Sequence, residues 1–152
     1  MTAFLTEPGH LVRLATVDAA GAPRVVPIWF AFESDAIWMT PRERSAWWTD
    51  LQREPRCALT IDEEALPYRK VVARGPVSVA FDVGHDDEWR DLYRRIARRY
   101  VGDDGAEAYI QATIAEPRAL LRLPLDPSAC TTWRMPLPGE DPKGIWAPRY
   151  YH

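Results

Sequence analysis

The stretch from Arg24 to Pro55, RVVPIWFAFESDAIWMTPRERSAWWTDLQREP, constrains the fold most. It reads as two strands joined at a tight tip, then an arginine-bearing loop, then a short helix. RVVPIWFAFE (24–33) is strand-like, with Ser34-Asp35 as a two-residue hairpin tip and AIWMT as the returning strand. Pro27 cannot donate to a ladder, so it places this strand at a sheet edge or a bulge. Apolar residues on both faces of Val25–Phe32 predict burial on both sides. Ser45 is a good N-cap for a helix ending at Pro55, with Trp47, Trp48 and Leu51 as its apolar stripe and Arg53 and Glu54 facing water. Strands that form an aromatic wall beside a cationic rim suit a flat heterocycle carrying a phosphate.

Upstream, residues 2–8 fit one helical turn and HLVRLATV is a strand. DAAGAP (18–23) is a turn, opened by Asp18 and with Gly21 free to take positive φ. Downstream, RCALTID (56–62) is a strand, and Tyr68–Phe81 is a long strand interrupted at Gly75-Pro76 by a bulge that lets the sheet curl. His85–Val101 is the clearest helix. Trp89, Leu92, Tyr93, Ile96, Ala97, Tyr100 and Val101 repeat at helical spacing, with acids at its start and Arg98 and Arg99 at its end as a solvated face. Ala106–Ala115 is a second helix, followed by the strands RALLRLPL and SACTTWRM. The tail from residue 136 to 152 is rich in proline and glycine. It carries Ile145, Trp146, Tyr150 and Tyr151, so it is expected to dock on its own chain or on a neighbour. Hairpin runs with inserted helices predict an α+β, mainly β fold: an antiparallel barrel of six to seven strands, helices outside, in one domain spanning 1–152.

Composition removes several classes of function. The net charge is −3 with no separate basic block, which argues against nucleic acid as the main partner. No run is long and apolar enough to span a membrane, and no signal peptide is evident, so cytoplasmic residence is expected. Cys57 and Cys130 sit in strand-like runs and read as small buried hydrophobes in a reducing compartment, with a disulfide between them as the alternative. His10, His85 and His152 are scattered, without the spacing of a zinc site. GxSxG, P-loop and GxGxxG motifs are missing. No side chain stands out as acid, base or nucleophile, so in an enzyme a cofactor would carry the reaction.

The run LVRLATVDAAGAPRVVPIWFAFESDAIWMT, followed by LQREPRCALTID, PYRKVVARGPVSV, LYRRIARRY and PRALLRLPL, resembles the split β-barrel flavoproteins of the pyridoxamine 5′-phosphate oxidase-like superfamily. The resemblance spans about residues 8–135 and is closest to the branch of deazaflavin (coenzyme F-420)-dependent reductases. It implies a homodimer with two cofactor sites at the interface. It also implies an FMN or F-420 cofactor and hydride transfer to or from a small conjugated or aromatic substrate. The wall would be Val26, Pro27, Ile28 and Trp29 with Met39 and Thr40. The phosphate rim would be Arg42, Arg44, Ser45, Trp47 and Trp48. Tyr68, Arg69, Trp146, Arg149 and Tyr150 would stand around the ring or substrate. Aromatics stack on a tricyclic ring and arginine forks hold phosphate.

One segment departs from the family pattern. Basic positions of that pattern hold Trp47 and Thr49 here, and Asp50 adds a negative charge. Each lost charge-assisted contact removes about 1.5–3 kcal/mol of phosphate binding. A second reading therefore stands beside the first: a binding protein on the same scaffold, holding a flavin, a tetrapyrrole or another aromatic ligand without turnover.

Overall fold

In a computed structural model, residues 1–141 are described. They build nine strands, three α-helices and two short 3-10 helices, Asp86–Trp89 and Pro127–Ala129. In chain order the strands and α-helices are α1 (Thr2–Thr6), β1 (Val12–Val17), β2 (Pro23–Ile28), β3 (Ala31–Glu33), β4 (Ala36–Met39), α2 (Ala46–Arg53), β5 (Arg56–Asp62), β6 (Lys70–Pro76), β7 (Ser78–Phe81), α3 (Arg90–Ala112), β8 (Leu120–Pro124) and β9 (Cys130–Trp133). Two antiparallel sheets result, in the orders β2-β1-β5-β6-β9 and β3-β4-β8-β7. The architecture is the expected α+β split barrel.

The strand count exceeds the sequence expectation because two long runs each serve both sheets. Residues 24–33 break at Trp29-Phe30, so β2 stays in the first sheet and β3 opens the second. Residues 68–81 break at Val77 in the same way, just past the expected bulge at Gly75-Pro76. At both breaks the chain crosses from one sheet to the other, and these crossings close the barrel.

The local turn chemistry is as read. Asp18 Oδ1 accepts from the Ala20 and Ala22 amides at 2.9 Å each, and Gly21 takes φ 84°. Ser34 and Asp35 both have positive φ, 51° and 53°, as a two-residue hairpin needs. Cys57 is buried and Cys130 half-buried, both as free thiols.

The main core lies between the sheets: Leu14, Phe30, Ile37, Met39, Ile61 and Leu123 are fully or almost fully buried there, joined by Trp47, Trp48 and Leu51 of α2. Trp89, Tyr93, Ile110 and Leu120 form a smaller cluster under α3. Gly102 (φ 71°, ψ −178°) kinks α3, which restores the two helices expected from the pattern.

Three expectations are corrected. Burial on both faces holds for Phe30–Phe32 but not for β2, an edge strand whose Val25 is 64% exposed. The edge position agrees with Pro27. Arg99 is not on a solvated face: it donates to the carbonyls of Leu5, Thr6 and Glu7 at the end of α1 and lies over the Phe30 ring. Asp50 adds no free negative charge. It is buried, accepting from Arg24 and from Thr16, each at 2.8 Å, and these bonds, Arg24 first, hold its carboxyl below the usual range.

Candidate functional site

A cleft of about 350 Å³ opens where the chain passes from β2 to β3. It is lined by Pro27, Ile28, Trp29, Thr40, Arg42, Ser45, Trp47, Tyr93, Tyr109 and Arg118. The first seven come from the stretch that organises the sequence. The crossing at Trp29-Phe30 turns Trp29 outward from the first sheet, and the ends of β4 and α2 deliver Thr40, Arg42, Ser45 and Trp47 to the same place.

Trp29 is held on two sides. Its ring stacks on Tyr100 at 4.9 Å with 2° between planes and meets Tyr109 at 4.9 Å, tilted by 54°. Tyr100 is fixed in turn, donating to the His10 carbonyl at 2.7 Å and accepting from the Phe30 amide at 3.1 Å. The result is a preset aromatic wall.

The cationic part of the cleft is built by register. The β4–β8 ladder pairs Met39 with Leu121, and its continuation pairs Arg42 with Arg118. Arg42 donates to the Tyr109 hydroxyl at 3.3 Å and Arg118 to the same oxygen at 3.2 Å. Arg118 also donates to the Thr40 carbonyl at 3.3 Å, and its guanidinium lies 4.7 Å from the centre of the Tyr93 ring. Arg42 forms an ion pair with Glu116 at 2.8 Å. Burial alone would raise the Tyr109 phenol, but the Arg42 hydrogen bond and the Arg118 charge outweigh it and lower it below the ordinary tyrosine range. Tyr93 goes the other way, pushed up to about 12 by desolvation. Two phenols shifted in opposite directions in one cleft mark a site able to hold charge.

The other sequence candidates lie elsewhere. Val26 is half-buried against the core, and Met39 and Trp48 are buried in it, so those three side chains do not line the cleft. Arg44 lines an adjoining hollow of about 420 Å³ with Arg42, Glu43 and Glu116. Ser45 occupies the N-cap position of α2, but its hydroxyl makes no capping bond. Tyr68 is exposed, and Arg69 is tied to Glu7 and Glu63 by bonds of 2.7–2.9 Å, lining a hollow with Phe4 and Trp133. Trp146, Arg149 and Tyr150 lie outside the described residues.

Tyr93, Tyr109 and Arg118 are site residues the sequence did not announce. Tyr93 was one member of an apolar helix face, and Arg118 was one charge in a strand. Only the pairing of residue 42 with residue 118 makes them neighbours.

Fold and cleft together define a split β-barrel with an aromatic-walled, arginine-bearing cleft at the crossing between its sheets. The family model for pyridoxamine 5′-phosphate oxidase matches residues 1–132, and the chain belongs to that family. No curated protein sequence matches it. Among solved structures, it is similar to an F420 reductase (TM-score 0.61, 23% identity, covering 84% of this chain and 93% of that one). A conserved hypothetical protein, Rv2991, of Mycobacterium tuberculosis gives a TM-score of 0.67 at 19% identity over 92% and 88% of the two chains. The heme storage protein HutZ of Vibrio cholerae gives 0.65 at 18% identity over 88% and 93%. These likenesses are of fold. Among the described residues, no helix is long and apolar enough to cross a membrane.

Proposed function

We propose that this protein is an oxidoreductase that binds FMN or the deazaflavin coenzyme F-420 and moves hydride to or from a small conjugated or aromatic substrate. The observation that carries the reading is the cleft itself: Trp29 fixed between two tyrosines, beside two arginines. Its volume lies in the range of small-molecule sites. The residues fit the group. Trp29, Pro27 and Ile28 offer an apolar wall for a planar ring, and Arg42 with Ser45 offers donors for a phosphate. A bound flavin or deazaflavin would supply the hydride chemistry. The chain's own part is to orient the ring on Trp29 and to hold charge at Arg42. Planar ligands also appear in the names of two structural relatives, the F420 reductase and the heme storage protein.

The functional unit we propose is a homodimer, one split-barrel domain per chain. The outer face of the first sheet supports it. Val25, Ala15 and Ala58 lie side by side across β2, β1 and β5, next to an open, mainly apolar hollow of about 580 Å³ that Arg53, Arg56 and Arg74 border. Among the described residues no helix covers this face, and a second copy would bury it.

Binding without turnover is the second reading, and Trp47 and Thr49 favour it by standing where the family pattern has basic residues. Both readings need a planar ligand. The test is absorbance of the purified full chain, then titration with FMN, F-420 and riboflavin while following tryptophan fluorescence. Saturable quenching by FMN or F-420 supports the proposal. Substrate-dependent bleaching of the bound ligand would favour the enzyme over the carrier. No response to any of the three overturns both.

A further inference from the structure

The lining of the cleft carries two arginines and two tyrosines and no carboxylate. Arg118 is only 5% exposed, yet no carboxylate among the described residues pairs with its guanidinium. The nearby Asp86 carboxylate instead accepts from the Arg118 backbone amide, at 3.1 and 3.2 Å. Arg118 spends its side-chain donors on one carbonyl and one phenol, and its Nε–H has no partner.

The tyrosines add to the imbalance. The Tyr109 oxygen accepts from both Arg42 and Arg118, so its lone pairs are engaged and its O–H is left to donate. Tyr93 is 2% exposed, and its hydroxyl makes no hydrogen bond of ordinary length among the described residues, although the Tyr109 and Thr113 side chains lie near it. A buried cation without a counter-ion and a buried hydroxyl without an ordinary hydrogen bond are both costly. Aromatic faces around Arg118 offset part of the charge cost but accept no ordinary hydrogen bond.

We propose that Arg118, Tyr109 and Tyr93 form an oxyanion subsite on the cleft floor, which takes a carboxylate or phosphate group of the bound molecule. An oxyanion is charged and acceptor-only, so it complements a cationic floor with donors left unspent and no carboxylate. The subsite is distinct from the rim at Arg42–Ser45, and it rests on the planar-ligand reading only in sharing its cleft. Two sources have this chemistry: the phosphate of a nucleotide-type cofactor, or the carboxylate of a substrate.

The test is an NMR titration of the full chain, observing the Arg118 Nε–H and the Trp29 indole N–H. Inorganic phosphate and benzoate are added separately, against sodium chloride at matched ionic strength. Saturable shifts beyond those of chloride support the subsite. A preference for phosphate points to the cofactor, and one for benzoate to the substrate. In support of the subsite, Tyr109→Phe weakens the response about tenfold, the worth of one charge-assisted hydrogen bond. Arg98→Ala, an exposed residue paired with Asp103, leaves it unchanged. No shift beyond chloride with either anion, or an unchanged affinity in Tyr109→Phe, overturns the subsite. FMN and riboflavin separate this from the parent reading. If both rings bind equally and no anion registers, the subsite falls and the planar-ligand reading stands. If an anion registers and no ring binds, the reverse holds.

Discussion

Arg42 and Arg118 face each other directly across the extension of the β4–β8 ladder, and both donate to one oxygen, that of Tyr109, at 3.3 and 3.2 Å. Like charges directly opposite in a sheet repel. The phenol between them and Glu116 beside Arg42 make the pair tolerable. Tyr109→Phe removes the shared acceptor and keeps the ring. We expect it to cost about 1.5–3 kcal/mol of stability at low salt, the worth of hydrogen bonds to charged groups. Part of that loss should return near 1 M salt, where the repulsion is screened. Urea unfolding at both ionic strengths measures this. An equal loss at both would mean that the phenol does not separate the charges.

A second charged cluster makes a prediction about acid. Arg69 bonds both Glu7 and Glu63, and its hydrogen bonds hold the Glu63 carboxyl at about 2, below its ordinary 4.5. A carboxyl lowered by folding stabilises the fold above its unfolded value, and that contribution fades as pH falls through the folded value. Glu63→Gln should therefore lower stability at pH 7 by about 1 kcal/mol, as expected for a partly solvated ion pair. The gap to the natural chain should close between about pH 4.5 and 2, the interval set by the two values of Glu63. Denaturant midpoints at several pH values decide it: a gap that stays constant into acid would show that lost packing, not charge, is responsible.

The sequence made the local parts of the site legible and hid the long-range ones. Pro27, Ile28, Trp29, Thr40, Arg42, Ser45 and Trp47 lie within one hairpin-and-helix stretch, so strand alternation and an N-cap were enough to bring them together. Met39 and Trp48 belong to the same stretch but point into the core. Deciding which face is interior needs the second sheet, whose strand β8 arrives some eighty residues later. Tyr93, Tyr109 and Arg118 depend on that same long-range register. An apolar helix face looks alike in sequence whether it meets a core or a cleft. The pairing of Asp50 with Arg24 was hidden for a related reason: α2 and β2 meet only after the sheet has formed.

Val25 tests the proposed dimer. It is 64% exposed on an edge strand, beside Ala15 in the register. An exposed valine there costs a lone chain little, while a charge placed in a buried sheet-on-sheet contact is expensive. Val25→Asp should change the stability of the isolated chain by no more than about 0.5 kcal/mol. It should also weaken dimerisation at least tenfold, seen by light scattering across a dilution series. A natural chain that runs as a monomer at high concentration would remove the dimer. A Val25→Asp chain that stays dimeric would move the contact to another face.

Gly102 separates two accounts of the long helix. If α3 were one continuous helix, Ala at this position would be favoured over Gly by about 1 kcal/mol. The structure instead gives Gly102 φ 71° and ψ −178°, a backbone region open essentially to glycine alone. A Cβ at this position would meet nothing within 4 Å, so any cost of Gly102→Ala comes from the backbone and not from a clash. We expect a loss of about 1–3 kcal/mol. The consequence reaches the cleft, because the kink sets the second half of α3, with Tyr109, against Trp29 and Arg118. Gly102→Ala should therefore change the tryptophan emission of the folded protein along with its unfolding midpoint. A stabilised variant with unchanged emission would mean that the helix runs straight through and that Tyr109 reaches the cleft by another route.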